Sequence, residues 1–210
     1  MKIFKTICFF LLISFSAYAQ TEKGRMLLGA GTHIGFSNGI GMMDMYFSNS
    51  TREFADGSSE KSSSYNIFFA PKVGYFLTNN LAAGVDLALG WGSREIFLNA
   101  FAFEAKNSLF GAGPFVRYYV PKGKILPFAE VNSIFGNQRT RTDFVGESVS
   151  NTSVTSLGGG FGLALLLGER SSFDLLLNYS SNRANFESDG FYTRENVLGL
   201  KFGFTVFLGN

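Results

Sequence analysis

From about residue 26 to the C-terminus, apolar residues recur at every second position in segment after segment. The last segment, Asn196–Leu208, is the clearest. Leu198, Leu200, Phe202, Phe204, Val206 and Leu208 fall on one face, and Val197, Gly199, Lys201, Gly203, Thr205 and Phe207 on the other. A period of two is that of an extended strand, whose side chains alternate between faces. Similar segments run over Met26–Phe36, Tyr65–Leu77, Leu81–Trp91, Leu109–Val120, Ile125–Gly136, Val154–Leu167 and Ser171–Asn182. Each has about the 9–11 residues that cross a bilayer obliquely.

The connections alternate in length. Thr78-Asn79-Asn80, Pro121-Lys122-Gly123-Lys124 and Gly168-Glu169-Arg170 are short and rich in turn formers. Ser37–Ser64, Gly92–Ser108, Asn137–Ser153 and Arg183–Glu195 are long and polar. Short turns at one end and long loops at the other distinguish a membrane barrel, where the two ends meet different compartments. A soluble sandwich has no reason to sort its loops by length.

One face of each segment is suited to lipid. Phe173, Leu175, Leu177 and Tyr179 share a face, as do Leu157, Phe161, Leu163, Leu165 and Leu167. The same holds for Leu81, Val85, Leu87, Leu89 and Trp91, and for Tyr65, Ile67, Phe69, Val73 and Tyr75. Tyr65, Tyr75, Trp91 and Tyr118 lie near segment ends, where an aromatic girdle would sit. Lipid offers no partner to backbone polar groups, so these strands are expected to close into an antiparallel up-and-down barrel of eight. Pro71, Pro114 and Pro127 each remove a ladder donor and call for a bulge or a place near a rim.

The opposite face collects His33, Lys72, Asp86, Arg117, Glu130, Asp174 and Lys201 among many glycines. Lys72 and Asp86 are symmetric about Asn79, so they are expected to face each other across a hairpin. Arg117 and Glu130 are nearly symmetric about the 121–124 turn, and Asp174 and Lys201 are expected to pair across the last hairpin. A one-residue slip would turn these charges into lipid, at roughly 2–4 kcal/mol for a midplane base. An eight-stranded interior is just wide enough to be filled by side chains. Lys72, Asp86, Arg117, Glu130, Asp174 and Lys201 are therefore read as a charge network filling the lumen, or lining a narrow polar path.

The start of the chain supplies the compartment. Lys2 and Lys5, the apolar run Ile7–Phe15 and Ala17-Tyr18-Ala19 have the form of an export signal, with residues 1–19 removed and 20–210 left as one barrel domain. Cys8 is the single cysteine and lies inside that leader, so disulfides and thiol chemistry are excluded from the remainder. Loss of the two lysines takes the formal charge of +2 to about zero, and nucleic-acid binding has no electrostatic support.

Catalytic chemistry is not expected. The single histidine, His33, excludes histidine metal cages and is read as structural, and no catalytic residue, metal or cofactor is assigned. Gly158-Gly159-Gly160-Phe161-Gly162 lies inside an alternating segment and precedes no helix, so it is no phosphate loop. Met42, Met43, Met45, Tyr46, Phe47 and Phe54 form an apolar cluster in the first long connection, suited to extending the wall or covering the mouth.

The signal, the strand and turn series, and the ending Lys201-x-Gly203-x-x-Val206-x-Leu208 together resemble the bacterial outer-membrane β-barrel domain superfamily. Its small members include OmpA/OmpX-type barrels and OmpW-like or porin-family proteins. The resemblance implies residence in a Gram-negative outer membrane, in contact with its lipid and lipopolysaccharide, and a monomer. It also implies that Lys201, Gly203, Val206 and Leu208 form a signal read by the barrel assembly machinery, although Gly209-Asn210 trail beyond it. The fold does not fix the role. A structural or surface-interaction barrel acting through its external loops is expected first, and a narrow channel for small solutes or small hydrophobic molecules second.

Overall fold

The computed structural model describes residues 19–35, 43–53, 59–98, 101–121, 123–143, 146–186 and 192–209. All but Ala19 of the expected leader lies outside these residues, as do Met42 and Phe54. The strands are β1 Met26–Gly35, β2 Tyr46–Glu53, β3 Ser59–Thr78, β4 Leu81–Leu98, β5 Phe101–Tyr119, β6 Ile125–Asp143, β7 Glu147–Leu166, β8 Ser171–Phe186 and β9 Tyr192–Leu208. Eight of the nine form a closed antiparallel ring, because β1 pairs with β9 on one side and with β3 on the other. The remaining strand, β2, lies along the outer part of β3.

The ring follows from the alternation. Side chains at Leu27, His33, Phe68, Phe76, Asp86, Arg117, Glu130, Asp174 and Phe207 are buried inside, while Ile67, Val85, Val116, Val131, Leu163, Leu177 and Leu198 are exposed on the outer wall. Large apolar groups outside and polar groups inside invert the order of a soluble protein, as lipid requires. Tyr75 and Tyr118 mark one edge of the outer apolar band, near the short turns. At the other edge the last outward groups on β3 to β9 are Tyr65, Trp91, Phe110, Phe135, Leu157, Tyr179 and Leu198. The next outward positions are Ser63, Ser93, Ser108, Asn137, Thr155, Ser181 and Asn196. Each of these seven strands thus leaves the hydrocarbon on a serine, threonine or asparagine.

The polar connections expected as long loops are largely strand. The wall runs on through Ser59–Ser64, Gly92–Leu98, Phe101–Ser108, Asn137–Asp143 and Glu147–Ser153, and β2 lies inside the first of those connections. Beyond the membrane both faces carry polar residues, so the apolar alternation disappears although the aligned ladder continues and Ser62, Gln138 and Thr152 stay buried on the inner side. Outside the membrane the Glu104 carboxylate accepts from Lys106 Nζ and Ser93 Oγ, both at 2.8 Å, which holds it below the ordinary carboxylate range.

The tight turns match their residues. Asn80 adopts φ 71°, Gly123 68° and Gly168 124°, the left-handed region that asparagine and glycine tolerate. Pro71 and Pro114 need neither bulge nor rim. The β3–β4 ladder skips Ala70 and Pro71 and resumes at Lys72↔Asp86 without a change of register. The β5–β6 ladder likewise skips Gly113 and Pro114. Each proline keeps its pairing on the other side, with Ala30 and Val85 respectively.

Two apolar layers fill the lumen at different heights. Near the short turns Leu27, Phe76, Tyr119, Leu126, Phe128, Leu176 and Phe207 pack together with little or no exposure. The Tyr119 ring lies 5.9 Å from Phe76, 5.6 Å from Phe128 and 6.1 Å from Phe207, in the tilted arrangements aromatic quadrupoles favour. The chain before β1 folds under this layer. Gln20 Nε2 donates to the Gly168 carbonyl at 2.9 Å, and Thr21 Oγ1 lies 2.6 Å from Asn80 Oδ1. The second layer, Met43, Phe68, Ala88, Leu109, Ile134 and Val154, lies toward the far mouth.

Phe115 enters the first layer only because Gly74 and Gly84, register partners on β3 and β4, leave it room. A Cβ on Gly74 would meet Phe115 Cζ at 2.8 Å, and one on Gly84 would collide with the Val73 carbonyl oxygen. The folded barrel should resist SDS until boiled, whereas Gly84→Val should leave only the slow-migrating unfolded band. An unchanged heat-modifiable band in this variant would show that the wall yields at that position.

Candidate functional site: the charged lumen

Between the two apolar layers lies a belt of inward charges. Lys72 on β3 and Asp86 on β4 are register partners, with Nζ 3.4 Å from Asp86 Oδ1. Arg117 on β5 and Glu130 on β6 are register partners too, with Nε 2.7 Å from Glu130 Oε2. Glu130 Oε2 also accepts from Lys72 Nζ at 2.8 Å, so a single carboxylate joins two cations across the lumen.

Asp174 does not take the partner expected from the hairpin. The β8–β9 register sets it opposite Gly203 and puts Lys201 opposite Leu176. Arg117 reaches Asp174 from the other side of the barrel through Nη1. The Asp174 carboxylate also accepts from Ser172 Oγ at 2.6 Å and Thr205 Oγ1 at 2.8 Å. Lys201 lines the same cavity with no carboxylate oxygen within 4.0 Å among the described residues.

The flanking layers complete the polar contacts. Arg117 Nη1 donates to Tyr119 Oη at 3.0 Å, and its Cζ lies 4.2 Å from the Phe128 ring centroid. Lys72 Nζ lies 4.6 Å from that of Phe115. Asp86 Oδ2 accepts from Asn132 Nδ2 at 3.2 Å. A stacked, planar guanidinium loses less when dehydrated than a bare ammonium does, which suits arginine to the position between an aromatic floor and two acids.

A second cluster stands at the far mouth. His33 Nδ1 lies 2.6 Å from Asp44 Oδ1, with both side chains nearly buried. Asn66 Nδ2 donates to the Asp44 carbonyl at 2.6 Å, and the Met45 amide donates to the His33 carbonyl at 2.7 Å. Asp44 carries no signal in the sequence, since its segment there reads as loop, and Asn66 lies in the expected strand Tyr65–Leu77 with no charge to mark it. Together these bonds tuck Met43 into the upper apolar layer.

The space left within the belt is a cavity of about 80 Å³, reached by Lys72, Asp86, Asn132, Asn178 and Lys201. That holds a handful of waters at roughly 10–15 Å³ each. Among the described residues no group of three or more His, Cys, Asp or Glu is placed to hold a metal ion.

A ring of eight antiparallel strands with lipid-suited walls, short turns at one end and extended hairpins at the other is a known architecture. OprG, an outer membrane protein of Pseudomonas aeruginosa, superposes with a TM-score of 0.52 at 13% identity, over 90% of this chain and 98% of its own. The chain has the fold of the small outer-membrane barrels. Ail, the attachment invasion locus protein of Yersinia pestis, gives 0.45 at 12% identity over 89% of this chain and 99% of its own. Outer membrane protein W of E. coli gives 0.44 at 14%, over 89% and 99%. No family model and no curated protein matches the sequence.

In an outer-membrane barrel a buried charge belt sets register as well as filling space. Arg117 and Glu130 are 3% and 2% exposed, so removing either leaves a partner charged in a dry site. Arg117→Leu should lower the unfolding free energy in urea by about 3–5 kcal/mol. A double replacement, Arg117→Leu with Glu130→Leu, should restore part of that loss. Equal destabilisation in single and double variants would show that the two charges are not coupled.

Proposed function

We propose that this chain is exported with residues 1–19 removed and resides in the outer membrane of a Gram-negative bacterium as a non-enzymatic scaffold. Its extended external hairpins meet partners, and the wall only holds them in place. The observation that carries this reading is the filled lumen. Phe76, Tyr119 and Phe207 have no exposure beneath the charge belt, and Phe68, Leu109 and Ile134 pack above it. A transport pore would keep a wet path at both heights. In this reading the assembly machinery recognises the last strand through Lys201, Gly203, Val206 and Leu208, with Lys201 facing the lumen.

One observation favours the channel reading. The β1–β3 ladder ends at Gly31↔Ala70, and β2 takes up β3 only at Tyr46↔Asn66. Between these points Thr32 Oγ1 donates to the Phe68 carbonyl at 2.7 Å across the seam. Gly31, Thr32, Phe68 and Phe202 all border the inner cavity, so a small hydrophobic molecule would have a short way from wall to lumen.

Ion conductance in a planar bilayer separates the readings. Refolded protein of heat-modifiable mobility should give no stable current steps. Reproducible steps would replace the scaffold with a narrow channel.

Orientation has its own test. Trypsin added to intact cells should cut first at Arg52 or Lys61, in the region of β2 and β3, and spare the 121–124 turn. Early cleavage at Lys122 or Lys124 would invert the orientation.

A further inference from the structure

One wall of the lumen gathers polar atoms that the protein itself leaves unmatched. Asn178 on β8 is 1% exposed, and neither its Nδ2 nor its Oδ1 has a hydrogen-bond partner among the described residues. The register gives the reason. Its neighbours across the two ladders are Gly160 on β7 and Gly199 on β9, which have no side chains to meet it. His33 on β1 brings a second unmatched buried atom, Nε2, against the same Gly199, where an added Cβ would collide with it. Lys201, the register partner of His33, has no carboxylate oxygen within 4.0 Å among the described residues. All three side chains border the cavity of about 80 Å³. Buried polar groups are nearly always hydrogen-bonded, so a cluster of unmatched ones in a closed space points to a guest.

The unmatched atoms come in complementary numbers. Asn178 Nδ2 and Lys201 Nζ are donors, and Asn178 Oδ1 is an acceptor. His33 Nε2 is a second acceptor, because Asp44 Oδ1, 2.6 Å from Nδ1, draws the proton of the neutral ring to that side. A primary carboxamide offers the complement: a carbonyl oxygen with two lone pairs and an NH2 with two hydrogens. Its adjacent C=O and N–H can pair with the Asn178 amide, leaving one lone pair for Lys201 and one hydrogen for His33. Charge favours the same class. Lys72, Arg117 and Lys201 balance Asp86, Glu130 and Asp174 around the cavity, so a neutral guest keeps the site neutral. A carboxylate would bring in a charge with no counterpart.

We propose that the lumen binds a small neutral amide, of the primary carboxamide or urea class, on Asn178, His33 and Lys201. The site lies inside the ring, so it goes beyond the scaffold reading and draws nothing from the external hairpins.

The test uses the whole chain refolded in phosphatidylcholine vesicles with the probe present from the start, so that a closed mouth cannot exclude it. Heat-modifiable mobility reports the barrel separately. Acetamide, acetate and acetone are close in size, and their binding is followed by ligand-detected NMR. One hydrogen bond is worth about a factor of ten in affinity. Acetamide should therefore bind at least about tenfold more tightly than acetone, which lacks both hydrogens, and than acetate, which adds the charge. Asn178→Leu should abolish acetamide binding and keep the heat-modifiable band, since it removes a buried group without a partner in the protein. Lys201→Met should weaken acetamide binding about tenfold. Acetone binding as tightly as acetamide overturns the proposal, and tighter binding of acetate replaces the amide with an oxyanion. No saturable acetamide binding by the folded wild type leaves these atoms to water and overturns the site. Undiminished binding in Asn178→Leu does the same; where that variant forms no barrel, undiminished binding in Lys201→Met decides against the site.

Discussion

The structure depends on one constraint: inside hydrocarbon no backbone amide or carbonyl finds a partner outside the protein. A sheet of these strands would leave two bare edges, so β1 must return to β3. Closure with so few strands fixes a narrow bore, and a narrow bore brings side chains from opposite walls into contact. That is why Arg117 on β5 meets Asp174 on β8, and Lys72 on β3 meets Glu130 on β6. These contacts belong to the diameter of the ring and to no hairpin.

The same distinction explains what could be read from the sequence. Which residues face inward followed from a period of two, and the partners Lys72↔Asp86 and Arg117↔Glu130 from symmetry about the tight turns. Neighbours across a hairpin are one-dimensional information. Cross-lumen neighbours such as Arg117 and Asp174 are not. The Asp174–Lys201 pair failed because the long connection between β8 and β9 offers no centre of symmetry from which to read the register that sets Asp174 opposite Gly203. β2 and the strand extensions escaped because alternation appears only where one face is dry. Tyr46–Glu53 has two wet faces, and its polar residues read as loop.

The prolines make a further point about how tightly the ring is specified. Pro71 and Pro114 each interrupt a ladder in mid-wall, yet the register on either side is unchanged. The alternation of lipid-facing and lumen-facing groups holds the strands in step across the gap, since a slip would expose Lys72, Asp86 or Arg117 to lipid. Side-chain sorting thus carries register where hydrogen bonding does not.

The segment before β1 joins parts of the ring that are far apart along the chain. Thr21 meets Asn80 in the β3–β4 turn, and Gln20 meets Gly168 in the β7–β8 turn. These two turns come into reach of one short segment only when the whole circuit is complete. A half-built barrel, with its first and last strands still apart, offers the segment no complete berth. The Gln20–Gly168 bond therefore adds only to the finished ring, like a clasp that shuts only when both ends of a bracelet meet.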